Sequence, residues 1–181
     1  MSQIDTINFQ LRDIYWELVA YANSIDFEPI CEFKLFNSDE IIPWEKLNSS
    51  GIYLVEIKND LKHSNFQDWV TSFREVWEDP RYKGNFVSNL RKIRISRHSN
   101  LKEWIPLYIG KSKKIGGRVN EHLHKEMGTR TFAMKLKARD NINDEVFRLS
   151  IIKFPLENYD WVAPVFERTL RDRINPIIGR Q

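Results

Sequence analysis

The chain has 181 residues, 41% hydrophobic and 13% aromatic, enough for one domain with a packed core. Its net charge of +3 conceals a division: Arg81 to Arg118 holds eleven Lys or Arg against Glu103 alone, a local balance of +10, and the remainder carries −7. Neither a signal peptide nor a membrane span is expected, since the N-terminus lacks a basic start and no apolar run approaches the ~20 residues that cross a bilayer; a cytoplasmic protein without a membrane partner is expected.

Leu11, Ile14, Tyr15, Leu18, Val19 and Ala22 recur at helical spacing, so residues 6–24 should form a helix lying on the core. Residues 27–36 suit a short strand, and Asn48-Ser49-Ser50-Gly51 is a loop leading into the first core strand, Gly51 to Ile57. Beyond it, Phe66, Trp69, Val70, Phe73 and Trp77 fall on one helical face that Pro80 closes. Ser88 to Ser96 reads as a strand or a short helix. A second core strand covers Leu107 to Gly110, followed by helices over 117–127 and 130–138. A third strand spans Val146 to Phe154, and a last helix runs from Pro164 to about Asn175, where Pro176 cannot continue it. One domain is implied: an N-terminal extension over 1–50, a core of 51–57 and 104–181, and an insertion over 58–103.

Cys31 is the only cysteine, so any metal must be held by oxygen or imidazole. The basic stretch interleaves charge with apolar residues, as a polyanion-binding surface does. Arg91, Lys92, Arg94, Arg97, Lys113 and Lys114 are its candidate DNA contacts. His124 lies off the face shared by Arg118 and His122, one helical turn apart, so the His-x-His pair is a poor metal motif.

Gly51-Ile52-Tyr53 and Tyr108-Ile109-Gly110, each on an apolar, β-rich run, are followed by Lys111, Arg118 and His122 and, on the last helix, by Glu167. In that order and spacing these residues resemble the signature of the GIY-YIG nuclease family. The resemblance covers Gly51 to Ile57 and Leu107 to about Ile178. It implies an α/β (α+β) fold with a small three-stranded core sheet flanked by helices, and a Mg²⁺- or Mn²⁺-dependent endonuclease. Tyr53, Tyr108, Lys111, Arg118, His122 and Glu167 are then the catalytic residues. Glu167 would be the ligand of a hard divalent cation that keeps several waters, or else the helical ion-pair partner of Arg171. Arg118 has the planar fork that holds phosphate oxygens bidentately. Either tyrosine can be the base, provided a cation such as Lys111 lowers its ordinary value of about 10.

Two features depart from the family. Tyr53 and Tyr108 stand 55 positions apart where relatives use a tight hairpin, and the asparagine that follows the last helix's proline in relatives is missing, so that either Asn175, which precedes Pro176, substitutes from a shifted position or another group does. Only fourteen residues follow Glu167, so sequence recognition is expected in the first fifty residues and the insertion. That arrangement resembles the compact restriction endonucleases of the family. Their partners would be double-stranded DNA, a second copy of the chain on a palindromic site, and a DNA methyltransferase acting on the same site. The alternatives are a nucleic-acid-binding protein with a decayed site and an RNA-directed nuclease.

Overall fold

In a computed structural model describing residues 2–154 and 157–179, the chain opens with α1 (Gln3–Ser24). Its start is set by a capping box: the Ser2 hydroxyl accepts the Asp5 amide, and the Asp5 carboxylate accepts the Ser2 amide at 2.8 Å. Such a cap is worth ~1 kcal/mol. The expectation that this helix lies along the core holds only for its C-terminal end. Ala22 is buried, whereas Ile4, Ile7, Leu11 and Ile14 are exposed because the 22-residue helix outruns the 16-residue helix over Tyr159–Ile174 that it packs against.

β1 (Glu28–Lys34) pairs antiparallel with β5 (Val146–Lys153) and stacks Phe33 on Phe147, with ring centroids 5.8 Å apart. The expected three-stranded core is therefore four-stranded, because the N-terminal extension adds a strand. A short α2 (Ser38–Ile41) leads toward β2 (Gly51–Lys58), which is buried from Gly51 to Ile57 and lies between β5 and β4 (Trp104–Ser112). The sheet is antiparallel throughout, in the order β1-β5-β2-β4. β2 explains the two-layered core. Tyr53, Val55 and Ile57 face one apolar cluster, while Ile52 and Leu54 face another, as alternation along a strand requires.

The insertion belongs to the first of these clusters. α3 (Phe66–Trp77) buries Phe66, Trp69, Val70, Phe73 and Trp77 beside Leu107 and Phe147. At ~1.5–3 kcal/mol for each large apolar side chain, that face anchors the insertion to the sheet. After it come β3 (Asn89–Leu90) and α4 (Lys92–Ile95), so Ser88 to Ser96 contains both a strand and a helix.

α5 (Ile115–His124) follows β4. No α-helix forms over 130–138. Lys135 adopts a left-handed conformation there, with φ at 57°, and the Ala133 and Met134 amides bond to the Phe86 carbonyl and to His122 instead of to a helical ladder. α6 (Tyr159–Ile174) begins before Pro164, contrary to expectation. The proline forfeits one bond, and burial of Tyr159 and Ala163 with Phe154 and Phe166 on the sheet's second face compensates. β6 (Ile178–Gly179) pairs with β3 and so draws the insertion over the C-terminal end of α6. Among the described residues no helix is long and apolar enough to cross a membrane.

Candidate active site

Strand register brings the two tyrosines together. Tyr53 lies opposite Gly110 and Tyr108 opposite Val55, two residues along β2, so alternation alone puts both tyrosines on one face of the sheet. Their rings stack with centroids 6.1 Å apart. Gly110 makes this possible, since a Cβ there would stand 2.3 Å from the Tyr53 hydroxyl. Gly51 is equally constrained: its Cβ would meet the Ile152 carbonyl oxygen at 2.0 Å. Both tripeptide glycines thus have a steric reason.

α5 turns Arg118 and His122 toward the same face of the sheet. His122 is buried, and the Met134 amide donates to its Nδ1 at 3.0 Å. Burial, helped by nearby Arg118, pushes the imidazole well below its ordinary value and keeps it neutral. With Nδ1 accepting, the proton sits on Nε2, which donates to the Tyr53 hydroxyl at 2.9 Å. The hydroxyl proton of Tyr53 is therefore directed away from the histidine.

A cleft of about 530 Å³ opens over this group, lined by Tyr53, Tyr108, Lys111, Arg118, Phe132, Glu167, Arg171, Arg91, Arg94 and the β6 strand. Among the described residues Glu167 is the single carboxylate on it, set against five cationic side chains. One carboxylate oxygen meets Arg171 at 2.5 Å and the other lies 4.0 Å from Lys111. Arg118 donates to Glu121 and, at 2.5 Å, to the Phe132 carbonyl. Burial opposes its charge, but Tyr53, Glu121 and Tyr108 outweigh that and hold it firmly protonated. Burial, then the neighbouring Tyr108, keeps the Tyr53 hydroxyl well above the usual tyrosine range, with Arg118 pulling the other way. Burial raises Tyr108 too, again against Arg118.

Tyr53, Tyr108, Lys111, Arg118 and Glu167 thus line one cleft, with His122 behind Tyr53. The candidate DNA contacts divide. Arg91 and Arg94 line the cleft, Lys92 and Arg97 are exposed beside it, Lys114 is exposed before α5, and Lys113 pairs with Asp160 at 2.7 Å. Arg94 is tied down, donating to the Arg171 carbonyl at 2.9 Å, to Asp172 at 2.7 Å and to Asn175 Oδ1 at 3.2 Å. Asn175, left-handed at the end of α6, thereby braces a cleft residue from its position before Pro176. His124 faces Asp39 at 2.9 Å, away from the cleft.

Sequence reasoning missed three parts. Arg171 entered only as a rival partner of Glu167, and its four-residue spacing was the available signal. The Met134 amide and the Phe132 carbonyl belong to a loop whose backbone leaves no pattern in side-chain order.

Among the described residues no group of three or more His, Cys, Asp or Glu side chains could hold a metal ion. A lone glutamate still fits Mg²⁺ or Mn²⁺, which take few protein carboxylates and complete their shell with water and phosphate oxygens. Arg171, partly exposed, is the group that would have to swing away. Searches against protein-family models, curated proteins and solved structures find no match to this chain.

Proposed function

We propose that this cleft hydrolyses phosphodiester bonds of double-stranded DNA with Mg²⁺ or Mn²⁺ as cofactor, in the manner of a compact restriction or defence endonuclease of the GIY-YIG type. The supporting observation is convergence. Side chains from β2, β4, α5 and α6, scattered from Tyr53 to Glu167, line one strongly cationic cleft with one carboxylate in it. Such a balance suits a polyanion. On this reading the protein works as a homodimer on a palindromic site, accompanied by a DNA methyltransferase for that site.

Glu167 would hold the metal ion, which supplies charge neutralisation at the phosphate and the leaving oxygen. Arg118 grips non-bridging phosphate oxygens, and Lys111, which faces the other oxygen of Glu167 from Arg171, adds positive charge beside the phosphate. Tyr53 is the base. The hydrogen bond received from His122 Nε2 and the nearby Arg118 both favour its phenolate, which takes the proton from water. His122 positions that hydroxyl and carries no charge.

The pH dependence follows. A tyrosine raised by burial is mostly protonated near neutrality, and its active form is deprotonated. The rate should therefore climb with a log–log slope of about one into the alkaline range, with no limb from His122. His122→Gln keeps an N–H donor near the position of Nε2, whereas His122→Asn does not reach. The glutamine variant should stay within about tenfold of wild type, and the asparagine variant should lose ~10²-fold, with its alkaline limb displaced upward. Equal activity in both variants would remove the histidine from the account.

The basic stretch makes its own prediction. Replacing Arg91, Lys92 and Arg97 by alanine should flatten the slope of log affinity against log salt by roughly 2.7 units, at about 0.9 per neutralised phosphate. Arg94 is left in place because it holds the end of α6. An unchanged slope in a folded variant would move the DNA elsewhere.

One observation favours a second reading, a DNA-binding protein that does not cut: both oxygens of Glu167 already face cations. Offering duplex DNA, single-stranded DNA and RNA with Mg²⁺ decides among the readings. Cleavage of the duplex is expected, binding without any cleavage supports the second reading, and cleavage of RNA alone would reassign the substrate.

A further inference from the structure

Six of the apolar side chains of α1, Ile4, Ile7, Leu11, Ile14, Leu18 and Tyr21, are alternately three and four apart, which is the a/d spacing of a coiled coil, while the exposed Phe9 and Trp16 lie on the opposite side of the helix. The protein itself covers one end of this stripe. Leu18 is half-buried against the cluster around Ala163 and Phe166 and the adjoining Ala22 is buried in it, while Tyr21 only touches Phe166 edge-on at 5.9 Å and stays largely exposed. The other end lies beyond α6. There Ile4, Ile7, Leu11 and Ile14 are 59%, 42%, 59% and 52% exposed.

A 3.5-residue repeat is complementary to another helix with the same repeat, and a second copy of this chain supplies one. Charge permits self-pairing. The positions flanking the naked seam are Gln3, Asn8, Gln10 and Tyr15, so identical helices meet no like charges there. Charge also argues against a lipid or nucleic-acid surface. Asp5, Asp13 and Glu17 outnumber Arg12 on this helix, a balance of −2 that an anionic partner would repel. The uncovered stretch is centred between Ile7 and Leu11, so antiparallel overlap pairs the two naked ends and leaves each covered end on its own α6.

We propose that the chain forms a homodimer through antiparallel pairing of the exposed half of α1, with Ile4 of each copy against Ile14 of the other and Ile7 against Leu11. The two bodies then lie at opposite ends of the paired helices, related by a two-fold axis. The pairing rests on α1 and not on the chemistry of the cleft, so mass and cleavage are read separately.

Light scattering on the purified full chain should give twice the 21.7 kDa chain mass at micromolar concentration. Ile7→Asp with Leu11→Asp should halve that mass without lowering the melting temperature of the body. A wild-type monomer would hand the stripe to a different partner and overturn the proposal, as would a double variant that stays dimeric. Orientation is tested by cysteines on a Cys31→Ser background. Ile7→Cys and Leu11→Cys chains should form a disulfide when mixed and not alone. Cross-linking of Ile7→Cys chains with themselves would show parallel helices and overturn the antiparallel arrangement.

Discussion

Glu167→Gln should reduce DNA cleavage at least ~10³-fold while leaving metal-independent DNA binding intact. The magnitude follows from charge stabilisation worth several kcal/mol at a bound metal, at 1.36 kcal/mol per tenfold in rate. Glutamine is isosteric and the side chain is mostly buried, so packing on α6 is preserved. The cleft loses its single carboxylate and keeps its five cations, so affinity for a polyanion should rise slightly. Single-turnover cleavage with Mg²⁺ and filter binding with a chelator measure the two effects. Retained turnover would sink the metal assignment, and lost binding would show that Glu167 holds the cleft open.

Arg118→Ala should slow cleavage ~10²–10³-fold, the usual consequence of removing a preorganised donor from a developing charge. Arg118→Lys should recover less than tenfold of this. The guanidinium engages Glu121 and the Phe132 carbonyl at once while its charge reaches both tyrosines, and an ammonium on a flexible stem cannot divide itself so. A second readout separates the roles. Losing the charge of Arg118 should raise both tyrosines further and shift the alkaline limb of the rate profile upward. Full rescue by lysine at unchanged pH dependence would mean that only a positive charge is needed.

How much of this was legible in the sequence depends on the range of the interaction. β2, β5 and α3 carry their own periodicity, and their apolar faces are buried where the pattern places them. The 130–138 segment has helical composition but no helix, because its amides are spent on Phe86 and His122, partners remote in sequence. Pro164 reads as a helix start by local rules, and tertiary burial of Tyr159 overrides them. The stripe of α1 is legible as a helix, but whether it faces the core depends on where α6 ends.

For the site, the tripeptides and the Arg118–His122 spacing point from sequence alone to residues that line one cleft. The role of the tripeptide glycines becomes explicit only in three dimensions, where Gly110 leaves room for the Tyr53 hydroxyl. The histidine's tautomer is set by a backbone amide twelve residues on, which has no sequence signature. Arg91 and Arg94 read as DNA contacts on a basic stretch, but nothing in the sequence sets them beside Glu167: pairing of β3 with β6 folds the insertion over the cleft and makes them part of its wall.

The most direct test is conversion of supercoiled plasmid by the purified protein with Mg²⁺, with and without a chelator. The account predicts nicked or linear DNA only when the metal is free. Plasmid that is bound by a folded protein yet stays supercoiled with Mg²⁺ and with Mn²⁺ would contradict it.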